Sequence, residues 1–126
     1  MSRRILIAED EVSIATAVEF LLQRRGYAVQ LARDGDEAMR MVEASPPDLV
    51  LLDVMMPGRS GYDVCRALRE RSEWRAIRVV MLSAKGDDAD IAKGMALGAD
   101  AYVTKPFSTR DLVAQIDDLL ARGRTE

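Results

Sequence analysis

The feature that most limits the possible folds is an alternation of short apolar runs with helix-like segments along the whole chain. This alternation is typical of βα units, in which consecutive strands lie parallel and helices cover the sheet. Strands covered on both faces are expected to be apolar along their whole length rather than at every second residue. Strands are therefore predicted at Ile5–Ala8, Tyr27–Leu31, Leu49–Leu52, Val79–Leu82 and Tyr102–Thr104. The second run contains Gln30, which favours an edge position.

Five helices are predicted between and after the apolar runs. Three of them begin at a capping signal, in which a short polar side chain is followed three residues later by an acid: Asp34/Glu37, Ser60/Asp63 and Ser108/Asp111. Residues that face the sheet should recur every three or four positions, on one side of each helix. In the first, second, third and fifth helices they are Ile14/Val18/Leu21/Leu22, Ala38/Met41/Val42, Val64/Leu68 and Leu112/Ile116/Leu119/Leu120.

The fourth helix, predicted from about Asp87 to Leu97, has the weakest apolar pattern. Its stripe consists of Ile91 and Met95 among alanines and Gly94. A helix with so little apolar surface gains little from packing. We therefore expect it to be the least firmly held of the five, and the one best suited to move.

The composition indicates one globular domain. Of the 126 residues, 48% are hydrophobic and 31% are charged, and this length leaves no room for a second core. We expect the domain to occupy residues 1–122 and residues 123–126 to form a frayed tail. No apolar stretch approaches the ~20 residues needed to cross a bilayer, and the first apolar run is too short for a signal peptide, so a cytoplasmic protein is expected.

Charge and reactive side chains argue against several functions. The net charge of -3 disfavours binding to nucleic acid phosphates. The arginines between Arg66 and Arg78 are interrupted by acids, which indicates a solvated helix face. The chain has no histidine and a single cysteine, Cys65. Cys65 therefore has no disulfide partner and no imidazole base, and we interpret it as a packing residue.

Polar residues at the ends of the apolar runs form the candidate site. In an open parallel sheet, binding sites lie beyond the carboxyl ends of the strands. Here the first run is followed by Glu9, Asp10 and Glu11, the third by Asp53, the fourth by Ser83 and the fifth by Lys105. Each residue alone is typical of a helix cap or a turn. Their coincidence at four strand ends predicts that acids, a hydroxyl and an ammonium group meet at one edge.

A cluster of carboxylates favours a bound metal ion, because the acids repel one another and a hard cation compensates their charge. Mg²⁺ suits such a cluster best, since it takes few protein carboxylates and leaves positions for water or a phosphoryl oxygen. Zn²⁺ is disfavoured because the chain lacks histidine and has one cysteine. Lys105 would neutralise an incoming phosphate. The pattern predicts a magnesium-dependent phosphate site.

Four blocks of sequence match one known family in order and spacing. They are Ile5–Glu11 (ILIAEDE), Leu51–Gly58 (LLDVMMPG), Val80–Lys85 (VMLSAK) and Gly98–Phe107 (GADAYVTKPF). With these blocks the whole chain resembles a response-regulator receiver domain of two-component signalling, similar to the chemotaxis regulators. The resemblance implies a flavodoxin-like α/β fold, with one doubly wound five-stranded parallel sheet in the order 2-1-3-4-5 and five flanking helices.

The resemblance also implies roles for the residues at the acidic edge. Asp53 would accept a phosphoryl group. Mg²⁺ would be bound by Asp10, by Asp53 and by the backbone carbonyl of Met55, with Glu9 acting through a metal-bound water. Glu9 stands where the family more often has aspartate, which is one methylene shorter.

Further residues of the matching blocks would bind the phosphoryl group and report its presence. Ser83 and Lys105 would each contact a phosphoryl oxygen, and the peptide bond between Lys105 and Pro106 would be cis. Tyr102 would report phosphorylation to the surface formed by the fourth helix, the fifth strand and the fifth helix. A downstream protein partner is expected on that surface.

The phosphoryl donor must be another protein, because a chain without histidine cannot supply its own phosphohistidine. The resemblance implies a sensor histidine kinase or a histidine phosphotransfer protein, for which acetyl phosphate can substitute. Met55 and Lys85 would tune the lifetime of the aspartyl phosphate. Neither carries a carboxylate or an amide that could orient an attacking water, so slow dephosphorylation is expected. The chain would thus catalyse its own modification and have no separate substrate.

Three alternatives from other classes are weaker. An aspartate-nucleophile phosphohydrolase would need a second acid two residues after the nucleophile, where Met55 follows Asp53. A degenerate receiver that only binds proteins is disfavoured by the presence of Asp10, Ser83 and Lys105. A nucleotide-binding protein of flavodoxin-like fold would need a glycine-rich phosphate loop after the first strand, and acids stand there instead.

The sequence leaves the output open. The chain fits a stand-alone regulator or the receiver of a longer protein, and the short polar tail favours the first. Dimerisation on phosphorylation is an expectation drawn from related DNA-binding regulators. Asp100 and Arg110 fit the charge network of that dimer, whereas Ala101 and Gln115 replace its second acid and one of its arginines.

Overall fold

The alternating pattern of the sequence folds into five strands and five α-helices within residues 2–122, the part of the chain that the computed structural model describes. The strands are β1 (Arg4–Ala8), β2 (Ala28–Ala32), β3 (Leu49–Asp53), β4 (Arg78–Ser83) and β5 (Ala101–Thr104). The helices are α1 (Val12–Arg24), α2 (Gly35–Ala44), α3 (Gly61–Glu70), α4 (Asp88–Ala96) and α5 (Thr109–Arg122). A short 3₁₀ helix at Ser72–Trp74 was not predicted. The predicted tail at residues 123–126 lies outside the described residues.

The strands form one parallel sheet in the order β2-β1-β3-β4-β5, which confirms the predicted fold class. In its centre Leu6 of β1 lies between Gln30 of β2 and Val50 of β3. The strand β2 is at an edge, as Gln30 indicated, but it begins one residue later than predicted. Tyr27 instead donates its backbone N–H to the carbonyl of Leu22 and so belongs to the turn that ends α1.

Helices cover both faces of the sheet and bury two apolar clusters. The helices α1 and α5 pack on one face around Ile7, Leu51 and Leu82. The helices α2 and α3 pack on the other face around Leu6 and Leu52. Every residue of β3 and β4 is buried, so the apolar runs predicted for covered strands are confirmed. Within residues 2–122 no helix has the length and apolar character needed to span a membrane.

Capping interactions start the helices where the sequence predicted. Ser60 accepts a hydrogen bond from the backbone of Asp63, whose carboxylate accepts one in return, which forms a complete capping box at α3. Asp34 accepts from the backbone of Glu37, and Ser108 accepts from the backbone of Asp111. These contacts fix the first turns of α2, α3 and α5 beside the carboxyl edge of the sheet.

The packing of α4 differs from the prediction. Met95 is 44% exposed, and the buried residue of the helix is Gly94. A Cβ atom on Gly94 would come within 2.9 Å of both the Met81 sulfur and the Tyr102 ring. The helix therefore approaches the sheet through its backbone rather than through an apolar stripe. A smaller difference occurs in α2, where Met39 is more buried than Met41 because the helix packs against α3 as well as the sheet.

The prediction that the arginines between Arg66 and Arg78 form a solvated helix face is wrong for two of them. The Arg69 and Arg78 side chains are only 13% and 8% exposed, and both form ion pairs with Asp100. The long side chains near the end of α3 and at the start of β4 can point inward, because the carboxylate of Asp100, just before β5, pairs with both of them. Cys65 is fully buried in α3, as expected for a packing residue.

Candidate functional site

The carboxyl edge of the sheet brings the predicted polar residues together. Glu9 follows β1, Asp53 ends β3, Ser83 ends β4 and Lys105 follows β5. Carboxylate oxygens of Glu9, Asp10 and Asp53 lie within 4.8 Å of one another, in a group that could hold a metal ion. Glu9 and Asp53 are buried and Asp10 is exposed. The cluster is therefore open to solvent on the side of Asp10.

Lys105 is the cation of this cluster. Its Nζ atom lies 3.0 Å from Oε1 of Glu9, 3.4 Å from Oδ2 of Asp53 and 3.7 Å from Oε1 of Glu11. Burial alone would lower the pKa of Lys105, but the contacts with Glu9 and Asp53 outweigh it and raise that pKa. The lysine is therefore held as an ammonium ion next to Asp53.

The carboxyl group of Asp53 is poorly stabilised as an anion. Burial, followed by the neighbouring Glu9 carboxyl, raises the pKa of Asp53 to about 7, against the opposing effect of Lys105 and of the Met55 backbone N–H. That N–H donates to Oδ1 of Asp53 across 3.1 Å. Two buried acids thus compete for one ammonium ion, and the cluster lacks positive charge.

The hydrogen bonding of the Glu9 carboxylate tests whether these residues suit a metal ion. Its Oε2 atom accepts a hydrogen bond from the Glu11 backbone across 3.0 Å. Its Oε1 atom is buried and lies near Lys105 without the geometry of a hydrogen bond. A hard divalent cation would compensate the charge of these acids and would give this carboxylate oxygen a partner, either directly or through a bound water. The residues present therefore fit Mg²⁺.

Ser83 is fully buried at the end of β4 and is braced by its neighbours. Its hydroxyl oxygen accepts from the backbone N–H of Lys85 at 2.9 Å, and its carbonyl accepts from the backbone N–H of Lys105 at 2.8 Å. The backbone N–H of Val54 donates to the carbonyl of Leu82, one residue before. The ends of β3, β4 and β5 are thus tied to one another. The peptide bond between Lys105 and Pro106 is cis.

Tyr102 is half-buried in β5, with its ring against Gly94 of α4. Its hydroxyl donates to the carbonyl of Lys85 at 2.7 Å. The Tyr102 side chain thus lies between the loop after β4 and the helix α4.

The two positions expected to tune the phosphoryl lifetime are exposed to solvent. Met55 is 58% exposed beside Asp53, and Lys85 is exposed in the loop after Ser83. Asp100, one of the two residues that fit the charge network of the expected dimer, accepts from the Val79 backbone and from Arg69 within the chain.

Sequence reasoning missed two residues next to the site. Gly61 starts α3 against the acceptor, and a Cβ atom there would lie 2.5 Å from the carbonyl oxygen of Asp53. Tyr62 follows it and is buried between α3 and α4. The capping box at Ser60 marked the start of this helix, but no local signal distinguishes a glycine in close contact from an ordinary first-turn residue.

The fold and the acidic edge define a doubly wound α/β protein in which three acids that could hold a metal ion meet a serine and a lysine at the carboxyl ends of the strands. The model of the response regulator receiver domain family matches residues 5–117, and the chain belongs to this family.

Solved receiver domains have the same fold over nearly the whole chain. The receiver domain of a signal transduction histidine kinase from Syntrophus aciditrophicus is 35% identical, with 99% of this chain and 96% of that chain covered and a TM-score of 0.89. A receiver domain named DrrB, solved in a BeF₃-activated form, is 33% identical, with 97% and 100% covered and a TM-score of 0.88. The receiver domain of response regulator 1452 from Francisella is 29% identical, with 96% and 98% covered and a TM-score of 0.89.

Proposed function

We propose that this chain is a phosphorylation-activated switch in which Asp53 accepts a phosphoryl group from a phosphohistidine donor. The supporting observation is the buried Asp53 carboxyl group, which lies 3.4 Å from the Lys105 ammonium in a cluster that lacks positive charge. A bound divalent cation would relieve this imbalance and would offset the negative charge that a phosphoryl group brings. We further propose a sensor histidine kinase or a histidine phosphotransfer protein as the donor, acting in the cytoplasm.

We propose that Mg²⁺ is held by Asp10, Asp53 and the Met55 carbonyl, with Glu9 acting through water. Glu9 can act in this indirect way because its Oε1 atom, which lies 3.0 Å from Lys105 without a hydrogen bond, can accept one from a metal-bound water. When bound, Mg²⁺ would neutralise charge on the transferring phosphoryl group and would favour the ionised form of Asp53.

In the transfer step an oxygen of Asp53 attacks phosphorus while the bond from phosphorus to the donor imidazole nitrogen breaks. The electron pair stays on that nitrogen, and the product on this chain is an acyl phosphate. Lys105 stabilises charge on the equatorial oxygens, so positioning and electrostatics supply most of the catalysis. The chain modifies itself in this step and turns over no separate substrate.

The phosphorylated state would be read through the loop after β4. Phosphorylation adds about -1.5 to -2 charges at Asp53, which would attract the Ser83 hydroxyl and Lys105. We propose that Ser83 and Tyr102 transmit this change to the surface of α4, β5 and α5, where a protein partner binds. A dimer through the same surface would form without Asp100, since Arg69 and Arg78 hold that acid within the chain.

Dephosphorylation is proposed to be slow. Met55 and Lys85 flank the acceptor and offer no carboxylate or amide to orient an attacking water. Replacement with Met55→Asn and Lys85→Glu together should accelerate phosphate release from the phosphorylated protein. An unchanged release rate in the double variant would show that these two positions do not set the lifetime.

Incubation with acetyl phosphate and Mg²⁺, followed by intact mass measurement, tests the proposed acceptor. The wild-type chain should gain one phosphoryl group, and Asp53→Asn should gain none. Asp118→Asn, which alters an exposed acid of α5, is the matched control and should behave as wild type. Single phosphorylation that persists in Asp53→Asn would reject the assignment of the acceptor.

Calorimetric titration with Mg²⁺, in the absence of acetyl phosphate, can distinguish a direct metal ligand from one that acts through water. Asp10→Asn should weaken Mg²⁺ binding far more than Glu9→Gln if Asp10 is the direct ligand. Equal losses in the two variants would reject this difference, and a larger loss in Glu9→Gln would reverse it. Trp74 is unsuitable as a fluorescent reporter for this titration, because it precedes β4 and so lies towards the opposite edge of the sheet.

A further inference from the structure

The attachment of α4 to the rest of the fold is unusually slight. Gly94 is its buried residue, and it contacts the Tyr102 ring and Met81. By comparison, α5 buries five apolar residues. Because apolar packing contributes little at α4, polar contacts with individual side chains should determine where this helix lies.

Tyr62 makes two such contacts with α4. Its hydroxyl donates to the carbonyl of Asp90 in the first turn of α4 across 3.2 Å. The Nζ atom of Lys93, one turn further along, lies 4.4 Å from the centroid of the Tyr62 ring, a distance typical of a cation–π interaction. The Tyr62 residue is only 8% exposed, so it fills the space between α3 and α4.

Tyr62 is also joined to the acceptor by its neighbour in sequence. Gly61 donates its backbone N–H to the carbonyl of Val54 at 3.0 Å. The same glycine lies so close to the Asp53 carbonyl that a Cβ atom would approach it to 2.5 Å. Because no side chain separates the start of α3 from the acceptor, a backbone shift at Asp53 or Val54 must be transmitted to α3.

Two tyrosines thus hold the beginning of α4 through hydrogen bonds to backbone carbonyls. Tyr102 of β5 donates to the carbonyl of Lys85, just before the helix, and Tyr62 of α3 donates to the carbonyl of Asp90, just inside it. Burial, and then the neighbouring Tyr102 hydroxyl, raises the pKa of Tyr62. The Tyr62 hydroxyl therefore stays protonated and able to donate.

We propose that Tyr62 is a positioning residue that transmits changes at Asp53 to α4 through the first turn of α3, alongside the transmission through Ser83 and Tyr102. This inference rests on the proposed function, because it assigns a second structural connection between the same acceptor and the same surface. It predicts a role for the Tyr62 hydroxyl that core packing alone does not require, since phenylalanine would fill the space equally well.

Hydrogen exchange of residues 88–96 tests the proposal, measured with and without Mg²⁺ and beryllofluoride. Tyr62→Phe removes the bond to Asp90 and should accelerate basal exchange in α4 about fivefold, as expected for one hydrogen bond. It should also reduce the change that beryllofluoride causes there. Tyr27→Phe is the matched control, because it removes another tyrosine hydroxyl, one that bonds Asp117 on the far face of the sheet.

Ser83→Ala and the double variant Ser83→Ala/Tyr62→Phe test whether Asp53 and α4 are connected by two routes or by one. Ser83→Ala alone should leave part of the beryllofluoride response in α4, and the addition of Tyr62→Phe should remove the remainder. Lys93→Gln, which changes an exposed side chain, should weaken the response in the same direction and by less. It provides a second measurement if Tyr62→Phe lowers the yield of folded protein.

Intact mass after acetyl phosphate treatment keeps this inference separate from the proposed function. A wild-type chain that takes no phosphoryl group would reject both. A wild-type chain that is phosphorylated and responds in α4, while Tyr62→Phe matches Tyr27→Phe, would reject the role of Tyr62 alone. Equal acceleration of exchange in α1, α4 and α5 of Tyr62→Phe would also reject it, because that result indicates general destabilisation.

Discussion

Two clusters of buried charge lie at opposite edges of the sheet, and they are built differently. The site cluster at the carboxyl edge consists of Glu9, Asp53 and Lys105. The anchor cluster at the amino edge of β4 and β5 consists of Arg69, Arg78 and Asp100. Both remove charged groups from water at a cost of several kcal/mol per ion before pairing. How each cluster offsets that cost distinguishes a functional site from a structural one.

The anchor cluster is rich in cations and hydrogen bonds. Asp100 accepts from the Val79 backbone at 2.8 Å and from Arg69 at 3.2 Å, and Arg78 approaches it to 3.9 Å. Arg69 also donates to the carbonyls of Ile77 and Gly98. The cluster thereby fastens α3 to the start of β4 and to the turn after α4.

The site cluster has an excess of acid and few internal hydrogen bonds. Two buried carboxyl groups share one lysine, and burial together with Glu9 raises the pKa of Asp53 to about 7. Such an arrangement is stabilised by a ligand from outside rather than by its own members. Both clusters are unbalanced by one charge, in opposite senses. The excess positive charge of the anchor cluster is hydrogen-bonded to backbone carbonyls within the chain, whereas the excess acid of the site cluster is open to a ligand on the side of Asp10.

The largest expected effect concerns the anchor cluster. Asp100→Ala should lower the free energy of unfolding by about 3 to 5 kcal/mol, because it leaves Arg69 and Arg78 buried without their acid. Urea denaturation measures this change, and Asp100→Asn serves as a milder variant if the alanine variant does not fold. A loss below about 1 kcal/mol in both variants would mean that the cluster is not an anchor.

The opposite sign is expected at the site cluster. In metal-free protein at pH 8, Asp53→Asn should raise the free energy of unfolding by about 2 to 4 kcal/mol, since each unit of pKa shift corresponds to about 1.4 kcal/mol. The pKa of folded Asp53 is raised to about 7 from 3.8, so the folded state holds its proton more tightly than the unfolded state. The free energy of unfolding of the wild type should therefore decrease as the pH rises from about 4 to about 7.

Denaturation of wild type and Asp53→Asn at several pH values checks the sign of this effect. The advantage of the asparagine variant should be nearly absent near pH 4 and should grow as the pH rises towards 7 and above. An advantage that does not depend on pH would show that the substitution acts through packing rather than through the charge of Asp53.

A smaller effect is expected from Mg²⁺ on the folded wild-type chain. At tenfold the dissociation constant, the ion should raise the free energy of unfolding by about 1.4 kcal/mol. The increase should be lost in Asp10→Asn and should persist in Asp100→Asn, because the anchor cluster lies at the opposite edge of the sheet from the acids proposed to bind the ion. Equal stabilisation of both variants would indicate binding elsewhere on the surface.

The smallest effect is expected at an exposed ion pair, which sets the baseline for both clusters. Arg122 and Asp118 are 3.1 Å apart one turn along α5, with side chains more than half exposed. Asp118→Ala should change the free energy of unfolding by about 0.5 kcal/mol or less. A change as large as that of Asp100→Ala would remove the distinction between buried and surface pairs that the comparison depends on.

Periodicity and capping predicted most of the fold because these signals are local. The apolar runs of β1, β3 and β4 and the cap at Ser60 appear in the structure where the sequence placed them. The packing of α4 could not be predicted in this way. This helix contacts the sheet through Gly94. Because a glycine has no apolar side chain, hydrophobic periodicity does not mark it as a buried position.

The candidate site was predicted from strand ends, whereas its internal contacts were not. The carboxyl ends of parallel strands meet by geometry, so the proximity of Glu9, Asp53 and Lys105 followed from their positions after apolar runs. The inward orientation of Arg69 did not follow, because its partner Asp100 is remote in sequence and its neighbours are charged. Long-range pairing of this kind is a property of the tertiary structure.

The parallel sheet has a consequence for how the chain folds. Parallel strands cannot pair through a tight hairpin, so each pairing, such as Leu6 with Val50, must first close a long loop and overcome its entropy. Folding is accordingly expected to be slower than in a helical bundle of the same length. The acidic edge is assembled from the ends of β1, β3, β4 and β5, and it exists only after all these strands have joined. A partly folded chain therefore has no complete acidic edge, and the proposed acceptor site forms only together with the finished sheet.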